Sequence, residues 1–219
     1  VTFKDLCVDA AEPARVARFW GAVLALDVEI MDGGDAVLRD DGRATIWVNG
    51  VPEPKAAKNR VHLDLHVPAD RALLDLGATP LGDQDGFRVY ADPEGNEFCA
   101  FPGPGPAVVA LCTDSAEPEP LARWWADLTG AAVGPGPDGV PRYLHDVPGL
   151  GPLTWKFVPV TDPRTAKNRW HWDVFAHVPD LVAAGATVLR ARDDAIGWTI
   201  LADPDGNEFC AFTPAGDPA

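Results

Sequence analysis

Apolar residues recur at helical spacing at Val16, Phe19, Trp20, Val23 and Leu24, which predicts an amphipathic helix with one buried face. Pro13 opens that stretch, where a missing N–H costs nothing, and Pro118 stands in the same place before "LARWW". Upstream, residues 5–9 read as a strand, and further strands are expected near 36–39 and 44–49. In "RVHLDL" (60–65) the alternation is clearest. It puts Arg60, His62 and Asp64 on one face and Val61, Leu63 and Leu65 on the other. A shorter helix stops at Gly77, with Gly185 as its counterpart. "FRVYADPEGNEFCAF" (87–101) reads as a hairpin turning at DPEGN, where Pro presets the turn and Gly and Asn tolerate positive φ.

The same pattern is written twice. "KNRVHLDLHV" (58–67) returns as "KNRWHWDVFAHV" (167–178), and "ADPEGNEFCAF" (91–101) as "ADPDGNEFCAF" (202–212). "AEP" at 11–13 returns at 116–118. The offsets of 105, 109 and 111 residues allow only small insertions, so the chain is a duplicated domain. "PGPGPA" (102–107) reads as the linker, giving domains 1–104 and 105–219. In the second copy Arg169, His171 and Asp173 oppose Trp170, Trp172 and Val174. The apolar set must pack under the helices, which leaves the polar set to line the other, concave surface.

An H-x-D strand followed about thirty residues later by a DP-x-GN hairpin resembles the vicinal-oxygen-chelate superfamily, which includes glyoxalase I, extradiol dioxygenases and the bleomycin- and fosfomycin-resistance proteins. The fuller "KNR-x-H-x-D … DP-x-GNEFC" pattern is similar to an actinobacterial glyoxalase-like subgroup, over nearly the whole chain and twice. The resemblance implies an α+β fold: two tandem glyoxalase-like domains, each of two βαβββ modules forming a curled sheet around a small-molecule cleft. It also implies a place for a divalent ion held by His, Glu or Gln at three or four positions. His62 and His171 fill the histidine position. Cys99 and Cys210 stand where a Glu is expected, with Glu97 and Glu208 two residues nearer the turn. The first position holds Asp5 in one copy and Ala110 in the other, and "TIWVN" and "LTWKFV" add only Asn49. No cofactor is therefore expected. The lesser reading is a metal on Asp5, His62 and Cys99, where a thiolate would favour zinc. Cys99 and Cys210 also read as small, buried, inert thiols.

Composition narrows the function. Apolar residues make up 47% and charged residues 23%, as in a globular protein. A net charge of −15 repels nucleic acid and anionic membranes. No apolar run reaches the ~20 residues that span a bilayer. "VTFKDLCVDAAEP" shows no basic-then-apolar leader, and the four cysteines read as reduced, so the expected compartment is the cytoplasm. GxSxG, Walker and CxxC motifs are missing. The expectation is a metal-independent lyase or isomerase of small molecules, with His62 or His171 transferring a proton and Asp64 or Asp173 tuning it. Arg60, Arg169, Glu97, Glu208, Trp47, Trp155 and Trp198 are the candidate ligand-binding residues. The alternative is a non-catalytic, resistance-type binding protein. In either case the partner is a small molecule, and the chain is a monomer or homodimer.

Overall fold

The computed structural model describes residues 1–214, which form four βαβββ modules in succession. The first comprises β1 (Thr2–Ala10), α1 (Pro13–Leu24), β2 (Asp27–Ile30), β3 (Ala36–Asp40) and β4 (Arg43–Gly50). The second comprises β5 (Val61–Val67), α2 (Asp70–Asp75), β6 (Thr79–Gln84), β7 (Phe87–Ala91) and β8 (Glu97–Pro102). The third has β9 (Ala107–Ser115), α3 (Pro118–Thr129), β10 (Ala132–Pro135), β11 (Pro141–His145) and β12 (Thr154–Pro159). The fourth has β13 (Trp170–Phe175), α4 (Val178–Ala183), β14 (Thr187–Arg190), β15 (Thr199–Ala202) and β16 (Glu208–Phe212). The modules build two curled eight-stranded sheets, as the expected fold class requires. Among the described residues no helix is long and apolar enough to cross a membrane.

The sheets do not follow the sequence repeat. The first runs β14-β15-β16-β13-β1-β4-β3-β2, so the fourth module joins the first through the antiparallel pair β1–β13. The second runs β10-β11-β12-β9-β5-β8-β7-β6 and joins the third module to the second through β5–β9. Residues 103–106 connect β8 to β9 so briefly that modules two and three stay in one sheet. The longer stretches 51–60 and 160–169 cross between sheets. Each sheet thus takes one module from each copy.

α1 buries Val16, Phe19, Trp20 and Val23, as its periodicity predicts, and stops at Ala25 in the left-handed conformation (φ 55°). The apolar faces of both sheets meet in one core. Trp155 of the second sheet lies 4.9 Å from Trp172 of the first, and Trp20 lies 5.2 Å from Phe98 of the second. Each fully buried large apolar side chain contributes ~1.5–3 kcal/mol, so Trp20, Trp125, Trp155, Trp170 and Trp172 dominate this core. With the apolar faces turned inward, the two polar faces point away from each other.

The repeated motifs fasten this exchange. Asp92, in the DPEGN turn of the second sheet, accepts a hydrogen bond from Trp20 Nε1 on α1 of the first (3.1 Å) and from Asn96 Nδ2 (2.9 Å). Asp203 does the same with Trp125 Nε1 (3.3 Å) and Asn207. Glu94 of the same turn accepts from the backbone N–H groups of Ala11 and Glu12 and so holds the chain that enters α1. Asn59 of the KNR run donates to Asn96 (3.2 Å), and Asn168 to Asn207 (3.1 Å). Lys58 reaches Asp114 (2.6 Å) across one seam, and Lys167 reaches Asp9 (2.5 Å) across the other.

Candidate functional site

On the concave face of the first sheet, strand register sets a compact group. Asp5 stands opposite Asp173, which neighbours Cys210; Cys7 stands opposite His171 and beside Trp47. The β1–β13 register jumps between Phe3 and Asp5, so Lys4 is the extra residue of a bulge. Its ammonium lies 2.7 Å from Asp5 Oδ2, 3.3 Å from Asp173 Oδ2 and 4.3 Å above the Phe212 ring. Phe212 in turn stacks on Trp198 at 5.4 Å, and Trp47 Nε1 donates to Asp5 Oδ2 at 3.1 Å. Asp5 Oδ1, Asp173 Oδ1 and His171 Nδ1 are buried without a hydrogen-bond partner. Burial, then the adjacent Asp5, pushes Asp173 up to about 7, against the pull of Lys4. Near neutral pH Asp173 therefore passes between its acid and its carboxylate form.

The second sheet repeats the arrangement with substitutions. His62 stands opposite Cys112, and Asp64 lies between Ala110 and Cys99. Ala110 therefore removes the second carboxyl. Lys156, beside Cys112 on β12, places its ammonium 2.7 Å from Asp64 Oδ2. That ammonium lies 5.6 Å from the Phe101 ring and 5.7 Å from Tyr143, and Phe101 stacks on Phe87 at 4.8 Å. His62 Nε2 is 3.6 Å from Asp64 Oδ1, in ion-pair range but too long for a hydrogen bond. Burial lowers the pKa of His62 and of His171 and favours the neutral imidazole. It raises all four thiols, Cys99 to about 12, so none is a ready nucleophile. All four cysteines are free, as their sequence context suggests.

Several expected ligand-binding residues are employed elsewhere. Arg60 donates to the carbonyls of Asp162 (2.9 Å) and Pro163 (3.0 Å), and Arg169 to that of Glu53 (2.9 Å), so both pin crossing segments. Glu97 accepts from Lys55 and the Asn59 backbone, and Glu208 from Arg164 and the Asn168 backbone. Trp155 is fully buried and donates to Thr113 (3.0 Å); the next residue, Lys156, is the one that faces the cleft. Trp47 and Trp198 do reach the concave face. The metal set Asp5, His62 and Cys99 is not brought together, because Asp5 lies in the first sheet and the other two in the second. Lys4, Lys156, Cys7 and Cys112 escaped the sequence reading. Only a bulge turns Lys4 inward, and a one-residue choice of register separates Lys156 from Trp155. A cavity of about 390 Å³ opens between the sheets, lined largely by apolar residues such as Leu24, Leu26 and Ile46 and bordered by Lys4 and Asp5.

A glyoxalase-like domain model matches residues 5–101 and again residues 110–212. The chain belongs to the glyoxalase-like family. The fold matches crystal structures of glyoxalase I from Zea mays (12% identity, 97% of this chain and 92% of that one, TM-score 0.68). It also matches a putative dioxygenase from Bacillus subtilis (13% identity, 97% and 86%, TM-score 0.60). At such identities the likeness is one of fold. No curated protein sequence matches the chain.

Glyoxalase-like folds are usually metal-binding, and the donors here can be tested for fit. Among the described residues two groups bring ligand atoms within 4.8 Å of one another: Cys7, His171 and Asp173, and His62, Asp64 and Cys112. In each an ammonium already sits on the aspartate, and burial holds the thiol protonated. A divalent ion would have to displace the lysine and deprotonate the cysteine, so these residues, as arranged, do not fit one.

Proposed function

We propose that the chain is a metal-independent enzyme of the lyase or isomerase type, acting on a small carbonyl compound in the cleft of the first sheet. One observation carries this reading: two buried carboxyls in register, Asp5 and Asp173, share one lysine ammonium, and one of them titrates near neutrality. Paired acids pushed apart in pKa supply a base and an acid at the same pH. The charged carboxylate removes a proton from carbon beside the carbonyl, and the electron pair moves onto the carbonyl oxygen. Lys4 stabilises that oxyanion. In an α-hydroxy carbonyl the hydroxyl proton then passes to that oxygen, the hydroxyl oxygen becomes the new carbonyl, and the protonated carboxyl gives a proton to the former carbonyl carbon; in an elimination it protonates the leaving group instead. Trp198 and Phe212 offer a flat apolar wall. His171, neutral and with an unpaired Nδ1, is the second candidate for proton transfer.

A second reading, ligand binding without turnover, is favoured for the other cleft. There Ala110 leaves Asp64 as the lone carboxyl of the row, while Phe87, Phe101 and Tyr143 gather around Lys156. In both readings the partner is a small molecule, the compartment the cytoplasm, and the chain a monomer or homodimer. Deuterium uptake into a panel of small α-hydroxy- and α-keto-carbonyl compounds, followed by NMR in D₂O, tests the catalytic reading. Asp5→Asn and Asp173→Asn should each slow exchange by about a hundredfold or more, the usual scale of general acid–base catalysis. Asp64→Asn should leave it unchanged. Exchange that survives the first two variants would remove the first cleft as the active site.

A further inference from the structure

We propose that the lysine of each cleft is a built-in cation guarding a latent transition-metal site, formed by Cys7, His171 and Asp173 in the first cleft and by Cys112, His62 and Asp64 in the second. The ligand atoms are already assembled within 4.8 Å in both groups. Imidazole, thiolate and carboxylate together suit zinc or cobalt rather than magnesium. In the first cleft, moreover, His171 Nδ1 and Asp173 Oδ1 are buried with no hydrogen-bond partner, as is the neighbouring Asp5 Oδ1.

The two clefts reach this state by different routes. In the first the ammonium comes from Lys4, the bulged residue of β1; in the second the bulge between Asp64 and Leu65 leaves out Val109, which carries no charge. The second cleft takes its ammonium from Lys156 on β12, at the register position that Trp47 holds in the first. Duplication of one lysine cannot give this pattern. What the clefts share is the outcome: an ammonium 3.3 Å from Asp173 in one and 2.7 Å from Asp64, its equivalent, in the other. A cation already on the aspartate neutralises it and repels a second cation at contact distance.

Removing the ammonium should therefore create metal binding rather than simply destroy a contact. The probe is Co²⁺ alone, titrated into the full chain and read by its thiolate charge-transfer and d–d absorption. Wild type should show no saturable band. Lys4→Gln and Lys156→Gln should each bind one Co²⁺ at least about tenfold more tightly than wild type, and the double variant should bind two. Lys4→Arg, which keeps the charge, should behave like wild type. Adding Cys7→Ser to Lys4→Gln should abolish the thiolate band. Near-UV circular dichroism of the buried tryptophans checks that each variant is folded. If Lys4→Gln does not fold, Lys156→Gln decides alone, since its cleft loses only one ion pair. Turnover is not read in this experiment, so its failure leaves the Asp5–Asp173 assignment standing. Folded glutamine variants that bind no Co²⁺, or a wild type that binds it stoichiometrically with both lysines in place, would overturn the proposal.

Discussion

Replacing Asp173 by Asn should make the protein more stable above neutral pH and leave it nearly unchanged in mild acid. Asp173 is 4% exposed, and burial with the neighbouring Asp5 raises it from 3.8 to about 7. A carboxyl raised on folding binds its proton more tightly in the native state. Its contribution is fully present below the unfolded pKa and is lost as pH rises through about 7. The full rise is equivalent to about 4 kcal/mol, with a slope of up to ~1.4 kcal/mol per pH unit between the two values. Asn keeps the shape and can donate to Asp5, and the pull of the 3.3 Å ion pair with Lys4 is already contained in the value of about 7. An amide that fits the acid's place imperfectly costs about 1–2 kcal/mol, so a net gain of about 2–3 kcal/mol remains at pH 8.5 and little at pH 5. Asp203, raised to about 6, acts in the same direction as Asp173. The lowered histidines act oppositely, adding stability above pH 6.5 that is lost below it. Both effects are common to variant and wild type and cancel in the difference. The assay is urea unfolding at pH 5 and pH 8.5, followed by tryptophan fluorescence. A variant no more stable than wild type at pH 8.5, or equally favoured at pH 5, would refute the reasoning.

The fastenings between the sheets make two further expectations. Asp92→Ala strands Trp20 Nε1 and the Asn96 amide in the interior, so it should cost about 2–4 kcal/mol, well above Asp92→Asn, which keeps a carbonyl acceptor in the same place; urea midpoints of both variants check the order. Residues 1–104 expressed alone carry one module of each sheet, with β1 and β5 left as open edges. They should form a dimer or fail to fold, and a stable monomer in light scattering would contradict the shared-sheet architecture.

The fold was legible because duplication prints its motifs twice, and because Val16, Phe19, Trp20 and Val23 declare a helix face. How the modules pair was not legible. Similarity between copies says which segments are alike, whereas pairing is decided by linker length and by which edges meet. The outer strands β2, β6 and β14 were also silent, since every residue in them is exposed and no alternation of burial is written there. At the site, the alternation in 60–65 and 169–174 correctly grouped His62 with Asp64 and His171 with Asp173. It then assigned Arg60 and Arg169 to the same role. Those arginines lie just before β5 and β13, where the chain has left the other sheet, and their guanidinium groups satisfy carbonyls of the crossing segments instead.

The sheet exchange also changes what the duplicated residues mean. Compared copy against copy, Asp5 against Ala110 looks like one copy keeping a ligand and the other losing it. Because Asp5 shares its cleft with His171 and Asp173, the acid of copy one completes the histidine strand of copy two. Ala110 leaves the histidine strand of copy one with a single aspartate. Neither copy owns a cleft; each cleft is a joint product. Divergence at one position in β1 or β9 therefore alters a site whose other half lies in the other copy. Such a chain can specialise its two clefts, one with paired acids and one with an aromatic-flanked lysine, while the KNR and DPxGN fastenings that hold both sheets stay the same in each copy.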